Sequence, residues 1–385
     1  MKKSVILEIQ HAVNSETPRG VGVYAANLVK VLLRRGEFEY GLSYFKKGRE
    51  EIDRAAMAKR LFPGYPLHEI SGLDYSDALR YDEVYSGKSY EEYVGASADL
   101  FHFMNIISIP TRINGKMVVT IHDLNWIYHQ EACSDAIKEL AQIGWRRVKS
   151  MRPILLANSL HTKNEVLENS NLSEEDVHVV YHSFDKEHCF PEKNTVRLRG
   201  LGIEGDFIFF VGVFERKKNI ERIVGMFDVL ADKYKGLSLV LAGKPTWDNA
   251  DEIYASINSS RFRERIKLLG YVSNDDKRLF YSHASCFVFP SICEGFGVPV
   301  IEAFACGCPV VTSNTSALPE TAGGAAALTN PLDIEEMVFV TERILTDSAM
   351  RQDLIEKGFE RAKVFDWEKT AIQTEAVYRA ILAPN

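Results

Sequence analysis

Short apolar runs rich in β-branched residues alternate with stretches of helical periodicity twice along this chain, and that alternation leaves few folds open. The first series of runs lies at residues 5–9, 100–104, 117–121 and 154–157. Continuous runs of this length suit strands buried on both faces of a parallel sheet. After the first of them, Val21, Tyr24, Ala25, Leu28, Val29, Leu32 and Leu33 recur at the spacing of one helix face. A strand, a glycine-bearing loop and a helix make a βα unit. A polar stretch at 187–205 interrupts the pattern, which restarts with runs at 207–213, 237–242, 286–290 and 309–312. Between these lie helical stretches at 220–233, with Ile220, Ile223, Val224, Phe227 and Leu230 on one face, and at 298–305. Alternation of this kind predicts an α/β chain with two doubly wound sheets. A length of 385 residues suits two domains. The expected division is 1–190, 191–365, and a closing helix from 366 to 385. Residues 47–96 carry many charges and tyrosines with weak periodicity, which leaves their structure open.

Composition narrows the function. Hydrophobic residues make up 46% and charged residues 26%, as in ordinary soluble domains. A net charge of -7 excludes a general nucleic-acid binder, which needs a basic field to displace phosphate counterions. Glu8 and Gln10 break the first apolar run before it can act as a signal-peptide core, and no stretch approaches a membrane span of roughly 20 apolar residues. A cytoplasmic protein is expected. Its six cysteines show no paired zinc-ligand spacing, so reduced thiols and no bound metal are expected. Cys306-Gly-Cys308 reads as packing in an apolar segment, with redox activity as the alternative.

Ligands of doubly wound sheets bind outside the carboxyl ends of the strands. The segment from Pro290 through Glu294, Gly295, Phe296 and Gly297 to Glu302 reads there as strand, tight glycine loop and helix. Its glycines let the backbone approach a ligand, and main-chain N–H groups at a helix start suit phosphate or sugar oxygens. Glu294 and Glu302 come round to nearly one face at about 100° per residue, and a carboxylate can accept from vicinal hydroxyls. Taken alone, such a pair reads first as two solvated side chains.

The spacing Glu294-x7-Glu302 in this setting resembles the signature of retaining glycosyltransferases of the family 4 type, which have the GT-B fold: two Rossmann-like domains facing across a cleft. The likeness extends through Gly212 to Arg216-Lys217-Lys218-Asn219, Leu269-Gly-Tyr271-Val272-Ser, the segment from Ala305 to Thr312, and Thr315 to Glu320. In the first half it rests on Pro18-Arg-Gly20-Val-Gly22-Val-Tyr24 and on Val119-Thr-Ile-His122-Asp123, and at the end on Phe365-Asp-Trp367.

The resemblance implies the following roles. The first domain is the acceptor side and the second binds the donor, a UDP- or GDP-linked sugar that serves as co-substrate. Glu302 takes the donor ribose and Glu294 the transferred sugar. Lys218 and Lys217 bind the diphosphate, with Arg216 beside them because Lys217 stands where arginine is usual. Gly295, Phe296 and Gly297 supply main-chain donors, Gly20 and Gly22 a loop against the phosphate, His122 a contact to the donor sugar, and Tyr271 and Val272 main-chain contacts to the base. Without an Asp-x-Asp triplet, transfer of the hexose to a hydroxyl acceptor is expected to need no metal. The acceptor is a saccharide or a lipid-linked saccharide of a cell-surface polysaccharide pathway. Residues 137–152 read either as an ordinary surface helix or as a basic amphipathic helix meeting the inner face of a membrane. Two other functions stay open: a phosphorylase or disaccharide-phosphate synthase on the same fold, and a non-catalytic nucleotide-sugar-binding module.

Overall fold

The computed structural model describes residues 2–16, 20–48, 52–82, 87–246 and 249–384. Pro18 and Arg19 of the glycine-loop motif lie outside the described residues. The chain forms two compact units, one of Met1–His182 with Trp367–Asn385 and one of Ser183–Asp366. Residues 183–190, placed with the first domain from sequence, thus belong to the second. The polar stretch that interrupts the strand pattern is pinned there: the Arg278 guanidinium stacks on Phe190 at 4.3 Å, and the Glu192 N–H donates to Ser282 Oγ at 2.9 Å.

The first unit is built on a seven-stranded sheet in the order β3-β2-β1-β4-β5-β6-β7. Its strands are β1 (Ser4–Glu8), β2 (Glu39–Lys47), β3 (Leu67–Asp74), β4 (Leu100–Phe103), β5 (Lys116–Ile121), β6 (Ile154–Ala157) and β7 (Val177–Val179). All neighbours are parallel. Helix Val21–Arg35 buries Tyr24, Ala25, Leu28, Val29 and Leu32 on one side of the sheet, the stripe expected from sequence. Helix Trp367–Leu382 packs on the same layer. It is fastened by Glu375, fully buried, which accepts from Arg35 Nε at 2.8 Å and from Tyr40 Oη at 3.1 Å. Strands β2, β3 and β7 escaped the sequence reading because polar and glycine residues interrupt them.

Helix Asp135–Met151 contains the basic amphipathic stretch. Ile143, Trp145 and Val148 are buried inside the first unit. Arg147 is buried with them, donating to Asp82 Oδ1 at 2.7 Å and to the Ile109 carbonyl at 2.8 Å. The membrane-facing alternative therefore loses the apolar face it required. Among the described residues no helix is long and apolar enough to cross a membrane.

The second unit carries a six-stranded parallel sheet in the order β10-β9-β8-β11-β12-β13. These are β8 (Phe207–Val211), β9 (Ser238–Ala242), β10 (Ile266–Gly270), β11 (Cys286–Phe289), β12 (Val310–Ser313) and β13 (Ala327–Thr329). Strand order reverses between β8 and β11, which neighbour each other although β9 and β10 intervene in sequence. Ligands of such sheets bind at a switch point of this kind, outside the carboxyl ends of the strands. The loops there are 212–219 and 290–297, both singled out from sequence. Cys286, Cys306 and Cys308 are buried near this core as free thiols, in line with the packing reading.

Candidate functional site

In the second unit the arrangement begins with Asn219. It adopts a left-handed conformation (φ 64°) that ends the single turn Arg216–Lys218 before helix Ile220–Lys233 begins. The basic triplet therefore forms its own turn ahead of the helix. Asn219 pays for the strained backbone with two buried bonds, its Nδ2 donating to the Pro290 carbonyl at 3.1 Å and to the Pro331 carbonyl at 2.6 Å. The Ile292 N–H donates to the Lys217 carbonyl at 2.8 Å, so the two loops share a ladder of contacts.

That ladder brings Lys218 to Glu294. Their side chains form an ion pair, only 13% and 11% exposed, with the Lys218 ammonium 4.9 Å above the Phe289 ring. Burial pushes the Glu294 carboxyl upward, but Lys218 and then Lys217 overcome it and hold the group below its ordinary range. Glu294 is thus a buried carboxylate and not a solvated side chain. Its N–H donates to Ser316 Oγ at 3.0 Å, and Ser316 itself has a positive φ of 54°. Lys217 is half-buried and faces Glu215 at 3.6 Å, whereas Arg216 turns outward to Glu252 at 3.1 Å.

Helix Val298–Ala305 follows Gly297, whose φ of 102° turns the chain into it. The positive φ requires glycine, and a Cβ there would also stand 2.7 Å from a Leu318 side-chain methyl and force it to shift. Gly295 and Phe296 are buried, and the Phe296 ring packs edge-on to Phe365 at 5.4 Å. Its side chain belongs to the core, leaving main-chain atoms for any ligand role. Glu302 lies in the helix, and each of its oxygens has a partner: Oε1 accepts from Lys277 Nζ at 2.6 Å and Oε2 from Tyr281 Oη at 3.1 Å. Tyr271 and Val272, just before the helix Asn274–His283 that supplies both partners, are exposed and half-buried respectively.

Sequence reasoning missed Lys277, Tyr281 and Ser316. Lys277 and Tyr281 stand four apart on one helix face, a spacing visible in the sequence, but nothing in it points that face at Glu302.

In the first unit, Gly20 takes a positive φ of 47°, while Gly22 is buried inside helix Val21–Arg35. The helix begins between them, so Gly22 belongs to packing and not to the loop. His122 follows β5. Its Nε2 lies 2.9 Å from the Met104 carbonyl, to which it donates, and its own carbonyl accepts from Asn158 at 2.8 Å. Its ring meets Tyr24 edge-on at 5.0 Å and His182 at 5.2 Å. Burial lowers its pKa, which keeps the imidazole neutral near pH 7.

Glu8 ends β1 on the same edge, 1% exposed, with Oε1 accepting from the Gln10 N–H at 2.8 Å. Burial raises its carboxyl from 4.5 to about 7. The folded chain therefore holds this proton to higher pH than the unfolded chain does, and stability falls as pH rises from about 4.5 to about 7. Glu8→Gln should match wild type near pH 4 and exceed it by up to ~3 kcal/mol near pH 8. Urea titrations at both pH values decide this, and equal stability near pH 8 would refute it.

Comparison with known proteins bears on both units. Residues 200–361 match the family described as Glycosyl transferases group 1. The second unit is a group 1 glycosyltransferase domain. Across nearly the whole chain this transferase is 25% identical to the O-antigen chain mannosyltransferase B of Escherichia coli, over 94% of its length and 96% of the relative's. It is 29% identical to a serotype-specific mannosyltransferase, WbdA, of Escherichia coli over 56% of its own length, but it spans only 27% of that longer protein. Sucrose-phosphate synthase from Thermosynechococcus elongatus superposes with a TM-score of 0.76 at 19% identity, covering 99% of both chains. Anabaena HepE in complex with UDP and glucose gives 0.75 at 15%, covering 98% of this chain and all of the other. The shared fold is GT-B, with a parallel Rossmann-like sheet in each unit.

Proposed function

We propose that this transferase moves a hexose, in the first instance mannose, from a nucleoside-diphosphate sugar to a saccharide hydroxyl in the building of a cell-surface polysaccharide. The observation that carries the reading is the Lys218–Glu294 pair at the switch point, flanked by Lys217 and backed by glycine-loop main chain. An isolated buried ion pair seldom contributes to stability. Set at the switch point of a parallel sheet, the same two charges offer a cation for a diphosphate and a carboxylate for sugar hydroxyls. The mannosyl donor is inferred from the names of the relatives.

In this reading Lys218 and Lys217 bind the diphosphate and take up the negative charge that grows on it as the bond to the anomeric carbon breaks. Glu294 orients the sugar and Glu302 accepts from the ribose, and the role proposed for His122 is that of a neutral hydrogen-bonding group for the sugar. The acceptor oxygen attacks on the face the diphosphate leaves, which retains configuration, and its proton passes to the departing phosphate oxygen. The lysines supply the positive charge that a metal would otherwise bring, so transfer proceeds without one.

Calorimetric titration of UDP, GDP, ADP and their sugar conjugates, with EDTA or magnesium, tests the reading. One nucleotide should bind equally well in both buffers, and Glu302→Ala should weaken it about tenfold or more. Binding of none would end the proposal, and binding that requires magnesium would end its metal-independent part.

A further inference from the structure

Glu302 does not act alone. Its carboxylate has about four lone-pair sites, two on each oxygen. Lys277 Nζ occupies one on Oε1 at 2.6 Å, and Tyr281 Oη one on Oε2 at 3.1 Å. One site on each oxygen is left, which is the demand of two adjacent hydroxyls.

The partners differ in what else they can do. Tyr281 is wholly buried, its ring held edge-on between Phe209 at 5.2 Å and Phe287 at 5.0 Å, so its hydroxyl is a fixed donor behind the carboxylate. Lys277 keeps 20% of its side chain exposed, beside 11% for Glu302, so neither member of the pair is sealed from solvent. One N–H is spent on Glu302, and an ammonium has three. Burial works against this charge and the Glu302 carboxylate more than offsets it, which keeps the lysine protonated. Because a buried ion pair can often be replaced by apolar residues without loss of stability, folding alone gives little reason for a lysine here. The same helix is preceded by Tyr271 and Val272, the candidate contacts to the base.

We infer that Lys277, Tyr281 and Glu302 form a composite clamp for a vicinal diol, in which Lys277 donates directly to a ribose oxygen and Tyr281 fixes the carboxylate that accepts from both hydroxyls. The clamp rests on the proposed donor-site reading and adds a specificity to it. It selects ribonucleotides over 2′-deoxyribonucleotides and depends on a lysine outside the helix that bears Glu302.

The experiment is calorimetric titration of GDP, UDP and their 2′-deoxy counterparts into wild type, Lys277→Met, Lys277→Arg, Tyr281→Phe and Glu302→Gln, with thermal unfolding as a folding control. Wild type should prefer the ribose form about tenfold or more. Lys277→Met should lose about tenfold in affinity for the ribose form and little for the deoxy form, so that the preference collapses. Lys277→Arg should restore part of it, and Tyr281→Phe should reduce it severalfold. If Lys277→Met fails to fold, Lys277→Gln takes its place. Unchanged affinity and preference in the lysine variants, with binding weakened in Glu302→Gln, would overturn the clamp and leave the ribose role of Glu302 intact. Wild-type behaviour of Glu302→Gln, or no nucleotide binding by wild type, would instead overturn the donor-site reading beneath it.

Discussion

Lys218→Met is expected to slow sugar transfer about 10²- to 10³-fold in kcat, the cost of removing one preorganised group aimed at charge that develops in the transition state. Methionine keeps an unbranched side chain and removes the ammonium that lies over Phe289. The lysine is also the buried partner of Glu294, so the single variant leaves a buried carboxylate that has lost its ion-pair partner. Some loss of stability must follow, and it has to be separated from the loss of rate. The double variant Lys218→Met/Glu294→Gln makes that separation, because the pair is then neutral on both sides and the desolvation penalty is gone. Stability should return toward wild type while the rate stays well below that of Glu294→Gln alone. Steady-state transfer and urea unfolding on the same preparations give both quantities. Recovery of rate together with stability would show that Lys218 supports the loop and does not act on the leaving group.

Gly243→Ala is expected to destabilise the second unit by about 4 kcal/mol, among the largest effects a single methyl can have. Gly243 follows β9 with φ 141°, a conformation L side chains rarely adopt, and its N–H donates to the Gly270 carbonyl at 2.7 Å. A Cβ there would overlap the Gly212 carbonyl oxygen and come within 2.9 Å of the Phe214 ring. Gly212 cannot retreat, because its own N–H is bonded to the Ala242 carbonyl at 3.0 Å and Phe214 N–H to Lys244 at 2.9 Å. Backbone thus meets backbone, with no rotamer to relieve the clash. The segment displaced runs directly into Lys217 and Lys218, so nucleotide binding should fail with stability. Gly236→Ala, where a Cβ meets nothing within 4 Å, serves as the control and should change stability by less than about 0.5 kcal/mol. Comparable unfolding midpoints for the two variants would contradict this account.

By itself the sequence determined the two α/β units, because strands buried on both faces of a parallel sheet appear as uninterrupted apolar runs whatever surrounds them. Strands β8, β9, β11 and β12 and helix Val21–Arg35 were legible for that reason. It also determined the loop of Glu294 and the turn of Lys218, whose glycines and charges are local requirements of backbone conformation and anion binding. Strands β2 and β10 were hidden because their polar residues and glycines break the apolar run, and their strand character comes from pairing with a neighbour already in place. Tertiary structure alone decided the partners. Lys218 meets Glu294 across 76 positions of sequence, through loops that come together because β8 and β11 are neighbours in space, and Lys277 meets Glu302 across 25, from one helix to the next. It also removed Gly22 from the loop by starting a helix one residue before it, and turned the apolar face of helix Asp135–Met151 into the core. Periodicity shows that a helix has an apolar face, and only packing fixes what that face meets.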